Sequence, residues 1–160
     1  MDSWSLPDAK LLSQCRFEAF VGSGPGGQKR HKTNAAVRLT HLPTGIQAVA
    51  GESRSQRENR IHALRRLRHK LAMESPRTPV DLVNFEPPAW LDEYLKLGLH
   101  ISPKNPLYPQ LIALVLDLLK SAQWEPFRAA PSLRISTSAL IRFLAADPPL
   151  WAKVNSIRHE

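Results

Sequence analysis

Four glycines fall within six residues between positions 22 and 27, and Gln28 and a run of basic residues follow them directly. A glycine backbone carries no side chains, so its amide groups stay open to close approach by a substrate. A backbone N–H in such a place can donate a hydrogen bond to a developing oxyanion. The basic run would draw phosphate groups to the same spot, and it consists of Lys29, Arg30, His31 and Lys32.

Other kinds of catalytic site have little support in the sequence. No pair of histidines or cysteines has the spacing of a zinc site, so we predict neither a metal nor a cofactor. His41 and His62 are predicted to be structural or surface residues. Cys15 is the one cysteine of the sequence and cannot form an internal disulfide, which favours a reducing compartment.

The positive charge is concentrated in one part of the chain. The 160 residues carry a formal charge of +8, but residues 81–160 balance 8 basic against 8 acidic side chains. Residues 22–73 hold 11 basic residues and only two acidic ones, Glu52 and Glu58. Such a concentrated excess predicts a polyanionic partner, either nucleic acid or an anionic membrane surface.

A membrane or secretory location is not expected. The longest apolar run, residues 111–116, is far short of the roughly 20 residues that span a bilayer. The first residues lack the basic and apolar regions of a signal peptide. We therefore expect a soluble cytoplasmic protein with no membrane partner.

The glycine segment lies between two predicted strands of a small sheet. Apolar residues alternate with polar ones over 15–21, 37–41 and 46–50, the period of strands with one buried face. Between the last two, Leu42-Pro43-Thr44-Gly45 has the residue types of a tight turn. These patterns predict a three-stranded antiparallel sheet.

A basic helix is predicted after the sheet. Ser55 and Glu58 have the spacing of a capping box, and Pro76 ends the pattern. An apolar stripe would cover the sheet through Ile61, Leu64, Leu67 and Leu71. The other faces are expected to point outward and carry Arg57, Arg60, Arg65, Arg66, Arg68 and Lys70.

The chain changes character after this helix. We predict a basic domain over residues 1–75, a Pro-rich linker over 76–89 and a helical domain over 90–160. Helices are expected near 90–99 and 110–123, after Ser136 and after Asp147. The fold class is therefore α+β, a small antiparallel sheet covered by a basic helix, followed by a small all-α domain.

One stretch of the helical half, residues 129–140, has the look of a helix-turn-helix. It offers a regulator hypothesis in which nucleic acid is read through Arg134, Thr137 and Arg142. A proline inside its first element and the zero net charge of this half count against that reading. Packing, or contact with a partner protein, is favoured.

The motifs of the basic half resemble the catalytic domain of class I peptide chain release factors. The resemblance covers about residues 10–72 and is carried by motifs in the right order, which are Gly24-Pro25-Gly26-Gly27-Gln28, Lys32-Thr33, residues 36–46, and Arg54-Ser55-Gln56-x-x-Asn59. It implies a release-factor-like fold and hydrolysis of peptidyl-tRNA in the ribosomal peptidyl-transferase centre, without a cofactor.

The resemblance also assigns roles to residues. Gly26, Gly27 and Gln28 would be catalytic: the Gln28 backbone N–H would stabilise the oxyanion or leaving group, and its side chain would admit water. The partners would be large-subunit rRNA and P-site peptidyl-tRNA. The residues expected to contact nucleic acid are Lys29, Arg30, His31, Lys32, Arg54, Arg57, Arg60, Arg65 and Arg68.

Two departures from the family narrow the prediction. After the glutamine, many members continue with His-Val-Asn, whereas this chain has Lys29-Arg30-His31. Full-length members read stop codons with a separate domain bearing Pro-x-Thr or Ser-Pro-Phe signatures, and we expect no such domain here. The chain therefore resembles the short, codon-independent factors that rescue stalled ribosomes.

The helical half leaves the recognition of the stalled ribosome open. It does not resemble the basic tail that some rescue factors place in the empty mRNA channel, because it is neutral and leucine-rich. Recognition of a split large subunit, or a helper protein bound through these helices, is the alternative. A second hypothesis is a non-catalytic rRNA- or tRNA-binding protein in ribosome assembly or regulation, although simple RNA binding would not need Gly-Gly-Gln.

Overall fold

The structure is a computed structural model that describes residues 2–22 and 35–160. It divides into two compact units, Met1–Ser75 and Pro76–Glu160. The first combines a sheet with helices, and the second is helical between its turns and loops. The predicted fold class, a small antiparallel sheet with a basic helix followed by an all-α part, is confirmed.

The first unit is built on a three-stranded antiparallel sheet in the order β1-β2-β3. A 3-10 turn at Ser3–Ser5 and helix α1 (Asp8–Ser13), neither of them predicted, precede the sheet. The strands are β1 (Cys15–Phe20), β2 (Ala36–His41) and β3 (Gln47–Ala50). The predicted turn between β2 and β3 is confirmed: Gly45 has a φ of +73°, and the His41 N–H donates to the Ile46 carbonyl at 2.8 Å.

Helix α2 (Gln56–Glu74) packs on β2 and β3 and closes the core. The core side chains come from both layers and from α1, and they are Leu11, Val37, Leu39, Ala48, Ala50, Ala63, Leu64, Leu67 and Leu71. Ser55 caps the helix by accepting a hydrogen bond from the Glu58 amide at 3.2 Å. The helix ends at Glu74, two residues before Pro76, the predicted stop.

Two predicted core residues are exposed instead. Phe17 lies opposite Leu39 in the register but is 42% exposed, because β1 is an edge strand and α2 covers mainly the other two strands. Ile61 is 51% exposed, and the buried stripe passes through Ala63. The prediction that Ile61 covers the sheet is wrong, because position 61 lies on the outer side of the helix.

The second unit packs its helices around a leucine-rich core. A 3-10 turn at Ala89–Leu91 leads into α3, and another at Ala130–Leu133 follows α5. The helices are α3 (Asp92–Lys96), α4 (Tyr108–Ser121), α5 (Pro126–Ala129), α6 (Thr137–Ala145) and α7 (Pro148–Arg158). The largest fully buried side chains of this unit are Leu91, Leu111, Ile112, Leu116, Leu118, Leu119, Leu133, Leu140 and Leu144.

The predicted helix starts of this unit are well placed and one predicted helix is too long. Ser136 accepts from the Ala139 amide at 3.1 Å, and Asp147 accepts from the Leu150 amide at 3.2 Å, so both act as N-caps. The helix expected over 90–99 already ends at Lys96. Gly98 and Leu99 follow with φ of +71° and +67°, a left-handed conformation that no right-handed helix continues through.

Residues predicted to form a linker are fastened to the second unit. The Thr78 amide donates to an Asp117 carboxylate oxygen at 3.0 Å, and the Val80 amide donates to the Ser121 hydroxyl at 2.9 Å. Further along, the Ser132 hydroxyl donates to the Leu82 carbonyl at 2.8 Å. These residues therefore form part of the helical unit and are bound along its helices by hydrogen bonds.

Candidate nucleic-acid interface

The proposed catalytic residues lie between two strand ends that the structure does describe. Gly26, Gly27, Gln28 and the basic run 29–32 fall outside the described residues. Gly22 and Ala35, the described residues on either side of them, lie at the end of the sheet where β1 ends and β2 begins. The space beside Ala36 is limited on one side only: a Cβ added to Gly51 would lie 3.2 Å from the Ala36 Cβ, a tight contact, whereas one added to Gly22 would lie at an ordinary 3.5 Å.

Asn59 joins this end of the sheet to the start of α2. Its side chain is fully buried, and its amide nitrogen donates to the carbonyls of Ala35 and Ser53, both at 2.8 Å. Its amide oxygen accepts from the Ser53 amide at 3.0 Å. The sequence identified Asn59 only as the last residue of a motif. Its contact with Ala35 spans 24 positions, and sequence spacing gives no sign of it.

The turn before α2 is held by hydroxyl and carboxylate groups. The Ser55 amide donates to the Ser53 hydroxyl at 3.0 Å, and that hydroxyl donates in turn to Glu58. The predicted capping box therefore closes through Ser53, because the Glu58 carboxylate contacts this hydroxyl and not the N-cap amide. Arg54 stands on this turn with its side chain exposed.

Four arginines of the predicted interface keep guanidinium groups available for a partner. Arg54, Arg57 and Arg60 are exposed and Arg65 is half-buried. Among the described residues, none of the four pairs with a carboxylate. The Arg60 guanidinium lies 5.4 Å from the centre of the exposed Phe17 ring, within cation–π range. We call this set the free arginines.

Three other basic residues of α2 are bound by the protein itself. Arg66 donates to the Val49 carbonyl at 2.7 Å and also to Glu52. Arg68 donates to the Trp4 carbonyl at 2.7 Å and to Asp8 at 2.6 Å, and the Lys70 ammonium donates to the Gln47 carbonyl at 2.7 Å. We call Arg66, Arg68 and Lys70 the bound set. The expectation that all basic residues of α2 face outward is wrong for Arg68, whose side chain is only 17% exposed.

Glu52 supplies the negative charge for this internal binding. Desolvation alone would raise the pKa of Glu52, but hydrogen bonds from its own amide, from Arg66 and from the Gly51 amide outweigh it and lower the pKa to about 2. The carboxylate is therefore ionised near neutral pH. It neutralises Arg66 and lies 3.0 Å from the His62 ring nitrogen Nδ1.

His41 serves the hairpin, at the far end of β2 from Ala36. The ring is buried, with Nδ1 2.8 Å from the Thr44 hydroxyl and Nε2 2.9 Å from the Gln14 side-chain oxygen. Desolvation lowers the pKa of His41, which favours the neutral ring. Within residues 2–22 and 35–160, no group of three or more His, Cys, Asp or Glu side chains has the geometry of a metal site.

Two stretches whose residue types could be taken for codon-reading or DNA-reading signatures have other partners within the protein. Pro76-Arg77-Thr78 does have Pro-x-Thr spacing, but Arg77 donates to the Ala113 carbonyl at 3.3 Å and Thr78 is held by Asp117. In the stretch that resembled a helix-turn-helix, α5 has four residues and runs into a 3-10 turn. Arg134 follows it in a left-handed conformation and pairs with Glu86 at 2.7 Å.

Comparison with known proteins agrees with the geometry of the first unit. Residues 11–80 match the family model of the RF-1 domain. Among the relatives, peptide chain release factor 1 of Acidiphilium cryptum is 52% identical over 72 residues, which are 41% of this chain and 20% of that protein. Peptide chain release factor 2 of Corynebacterium glutamicum is 44% identical over 71 residues, and peptide chain release factor 1 of Kineococcus radiotolerans is 49% identical over 63.

The similarity is confined to one part of each relative. The Corynebacterium and Kineococcus matches cover 44% and 38% of this chain, and in both cases 18% of the relative. The chain thus spans about a fifth of the length of these relatives. Most of the helical unit, from residue 81 onward, lies outside the matched domain. In the part of the chain with described coordinates, no helix is long and apolar enough to cross a membrane.

Proposed function

Since residues 11–80 belong to the RF-1 domain family of the peptide chain release factors, we propose that this protein hydrolyses peptidyl-tRNA on the ribosome and releases the nascent chain. The observation that carries this proposal is the position of Gly26-Gly27-Gln28 inside the matched residues, between the end of β1 and the start of β2, two strands that pair in the sheet. The free arginines at the start of α2 would bind the phosphates of large-subunit rRNA.

The proposed chemistry needs few protein side chains. A water molecule attacks the ester carbonyl carbon, the bond from that carbon to the ribose oxygen breaks, and the ribose oxygen leaves with a proton. The Gln28 backbone N–H donates to the oxyanion or to the leaving oxygen, and its side chain favours water over other nucleophiles. Lys29, Arg30, His31 and Lys32 hold the 3′ end of the P-site tRNA by its phosphates.

We further propose that release is independent of the codon in the A site. Full-length factors read the codon with a separate domain, and the stretch of this chain with Pro-x-Thr spacing is engaged by Ala113 and Asp117. The helical unit carries no excess charge to attract RNA, since residues 81–160 balance 8 basic with 8 acidic side chains. We place the proposed release activity of the protein in the cytoplasm, where translating ribosomes stall.

Peptide release from defined ribosomal complexes tests this proposal. Ribosomes carrying labelled peptidyl-tRNA would be prepared on mRNA truncated at the P site, on mRNA with a stop codon and on mRNA with a sense codon, together with large subunits alone. We expect release from the truncated complex or the large subunit, at a rate that a stop codon does not raise. Gln28→Ala and Gly27→Ala should lower this rate strongly, whereas Gln110→Ala, an exposed glutamine of α4, should leave it unchanged.

The same assay separates the competing functions. Tight ribosome binding without release from any complex would refute hydrolysis and favour a non-catalytic rRNA- or tRNA-binding protein. Release that depends on a stop codon would keep hydrolysis and refute codon independence. Loss of release in Gln110→Ala as well would show that the assay responds to damage of any kind.

We also propose that a helper protein binds the helical unit. Leu97 and Phe127 are exposed apolar side chains of this unit, 65% and 57% accessible, and a protein partner would cover them. Release would be measured with purified ribosomes, with and without a ribosome-free extract. Stimulation by the extract that Phe127→Asp abolishes would support the helper, and equal rates with and without extract would refute it.

A further inference from the structure

A buried amide links the two motifs that carry the proposed function. Asn59 belongs to the basic helix, and its side chain reaches the carbonyl of Ala35, the first described residue after the Gly-Gly-Gln segment. We propose that Asn59 is a positioning residue of the release reaction, because it fixes Ala35, the residue that follows this segment, against the start of α2. The inference rests on the proposed function and adds a role for a residue that touches neither substrate nor ribosome.

The hydrogen bonds of Asn59 support a role beyond filling the core. Its side-chain amide makes three bonds, two as donor and one as acceptor, and the carboxamide has no access to solvent. The other buried positions of the same helix face, such as Ala63 and Leu67, are apolar and pack on the sheet without polar groups. A buried polar group with all its partners in place fixes one geometry, whereas apolar packing tolerates small slips.

The partners of Asn59 define what is fixed. Ser53 precedes α2 and contacts Asn59 through both its amide and its carbonyl. The Asn59 amide itself donates to the Ser55 carbonyl at 3.0 Å, so the side chain is carried by the first turn of the helix. Through these bonds Asn59 joins the turn bearing Arg54 to the strand end at Ala35.

This coupling matters for a reaction that a backbone amide performs. Gln28 stands seven residues before Ala35 in the sequence. A misplacement of reacting groups by about 1 Å costs on the order of 100-fold in rate. The free arginines would place the helix on rRNA, and Asn59 would transmit that placement to the segment that carries Gln28.

The test compares Asn59 variants with a variant of the apolar core. Asn59→Asp keeps the acceptor for the Ser53 amide but turns a carboxylate oxygen toward two carbonyls, and Asn59→Gln keeps the amide but displaces it by one methylene. Leu71→Ala is the control, because Leu71 lies in the same core at the other end of α2. All three would be assayed below their measured melting temperatures, with ribosome concentration varied.

We expect the Asn59 variants to lower the maximal release rate about 10- to 100-fold while the half-saturating ribosome concentration changes less than about twofold. Leu71→Ala should keep the maximal rate as long as it is folded. Amide hydrogen exchange supplies a readout without ribosomes: protection at Ala36 and Val37 should fall in the Asn59 variants and not in Leu71→Ala.

Three outcomes would overturn the inference. These are an unchanged maximal rate in folded Asn59 variants, an equal loss in Leu71→Ala, and a failure of both Asn59 variants to fold, which would assign the residue to stability alone. Failure of the proposed function has a different signature, because the unsubstituted protein would then release nothing. The exchange experiment would still decide whether Asn59 holds the strand end.

Discussion

Substitution of three of the four free arginines, which we call the free-arginine variant, should weaken ribosome binding and change its salt dependence in a calculable way. The variant replaces Arg57, Arg60 and Arg65 by alanine, three residues that pair with no carboxylate in the described structure. Each phosphate that the variant no longer binds should reduce the slope of log affinity against log salt by about 0.7 to 0.9. Three such phosphates therefore correspond to a reduction of roughly 2 to 3.

That slope translates into a large effect over an ordinary salt range. For a fourfold rise in salt, a slope change of roughly 2 to 3 means that the affinity of the variant falls roughly 16- to 64-fold less than that of the unsubstituted protein. Binding to purified large subunits would be measured by sedimentation at several KCl concentrations and constant magnesium. The variant should also bind more weakly than the unsubstituted protein at the lowest salt concentration.

The bound set supplies a control with the same change in charge. Arg66, Arg68 and Lys70 donate to backbone carbonyls, and two of them also pair with Glu52 and Asp8. Their replacement by alanine should lower the melting temperature and change the salt slope much less. If that triple variant does not fold, Arg57→Ala and Arg66→Ala give the same comparison one residue at a time.

Two results would refute this reasoning. An unchanged slope in the free-arginine variant would show that this face does not contact phosphate. An equal change of slope in the two triple variants would show that net charge, and not the freedom of particular guanidinium groups, decides the binding.

Three further predictions concern the stability of the two units. Desolvation lowers the pKa of His41 below its ordinary value of 6.5, so the unfolded chain binds a proton more readily than the folded protein does. The free energy of unfolding should therefore fall as the pH drops through about 6.5. His41→Gln should flatten that part of the profile of urea-unfolding free energy against pH. Gly45→Ala should lower the free energy of urea unfolding by about 1 kcal/mol, because φ is +73° and no atom lies within 4 Å of the added Cβ, so only backbone strain contributes. An unchanged free energy of unfolding would contradict this strain. Tyr108→Phe should destabilise the helical unit by about 1.5 to 3 kcal/mol, because the buried hydroxyl donates to Asp147 at 2.6 Å, and an unchanged calorimetric transition would refute that contribution.

Local rules predicted most of the turns and helix starts in each unit. The turn at Leu42–Gly45 and the caps at Ser55, Ser136 and Asp147 depend on residues within four positions of one another, so the sequence displays them directly. The exposed faces were harder to predict. Phe17 has the alternation of a buried strand residue, but its exposure depends on which strands α2 covers, and that is a property of the tertiary packing.

The electrostatic errors have the same origin. Arg57 and Arg68 look alike on a helix drawn from sequence, yet Arg68 donates to the carbonyl of Trp4, which lies 64 positions earlier. Asn59 is the converse case, because in the sequence it is only the last residue of a motif, and no local pattern indicates its bond to Ala35. In each case a hydrogen bond between distant parts of the chain decides the role, and residue type alone does not determine it.

The basic residues of the first unit therefore fall into two groups with different roles. The sequence places 11 basic residues between positions 22 and 73, and the simplest interpretation treats all of them as attraction for RNA. The bound set directs its hydrogen bonds to the sheet edge and to the N-terminal residues around α1, so it stabilises the fold that presents the others. Binding of a phosphate to such a guanidinium contributes little net free energy, because the guanidinium must first break its hydrogen bonds to a carbonyl and a carboxylate. The number of phosphate contacts at this face should accordingly follow the free arginines, and the salt slope measures that number.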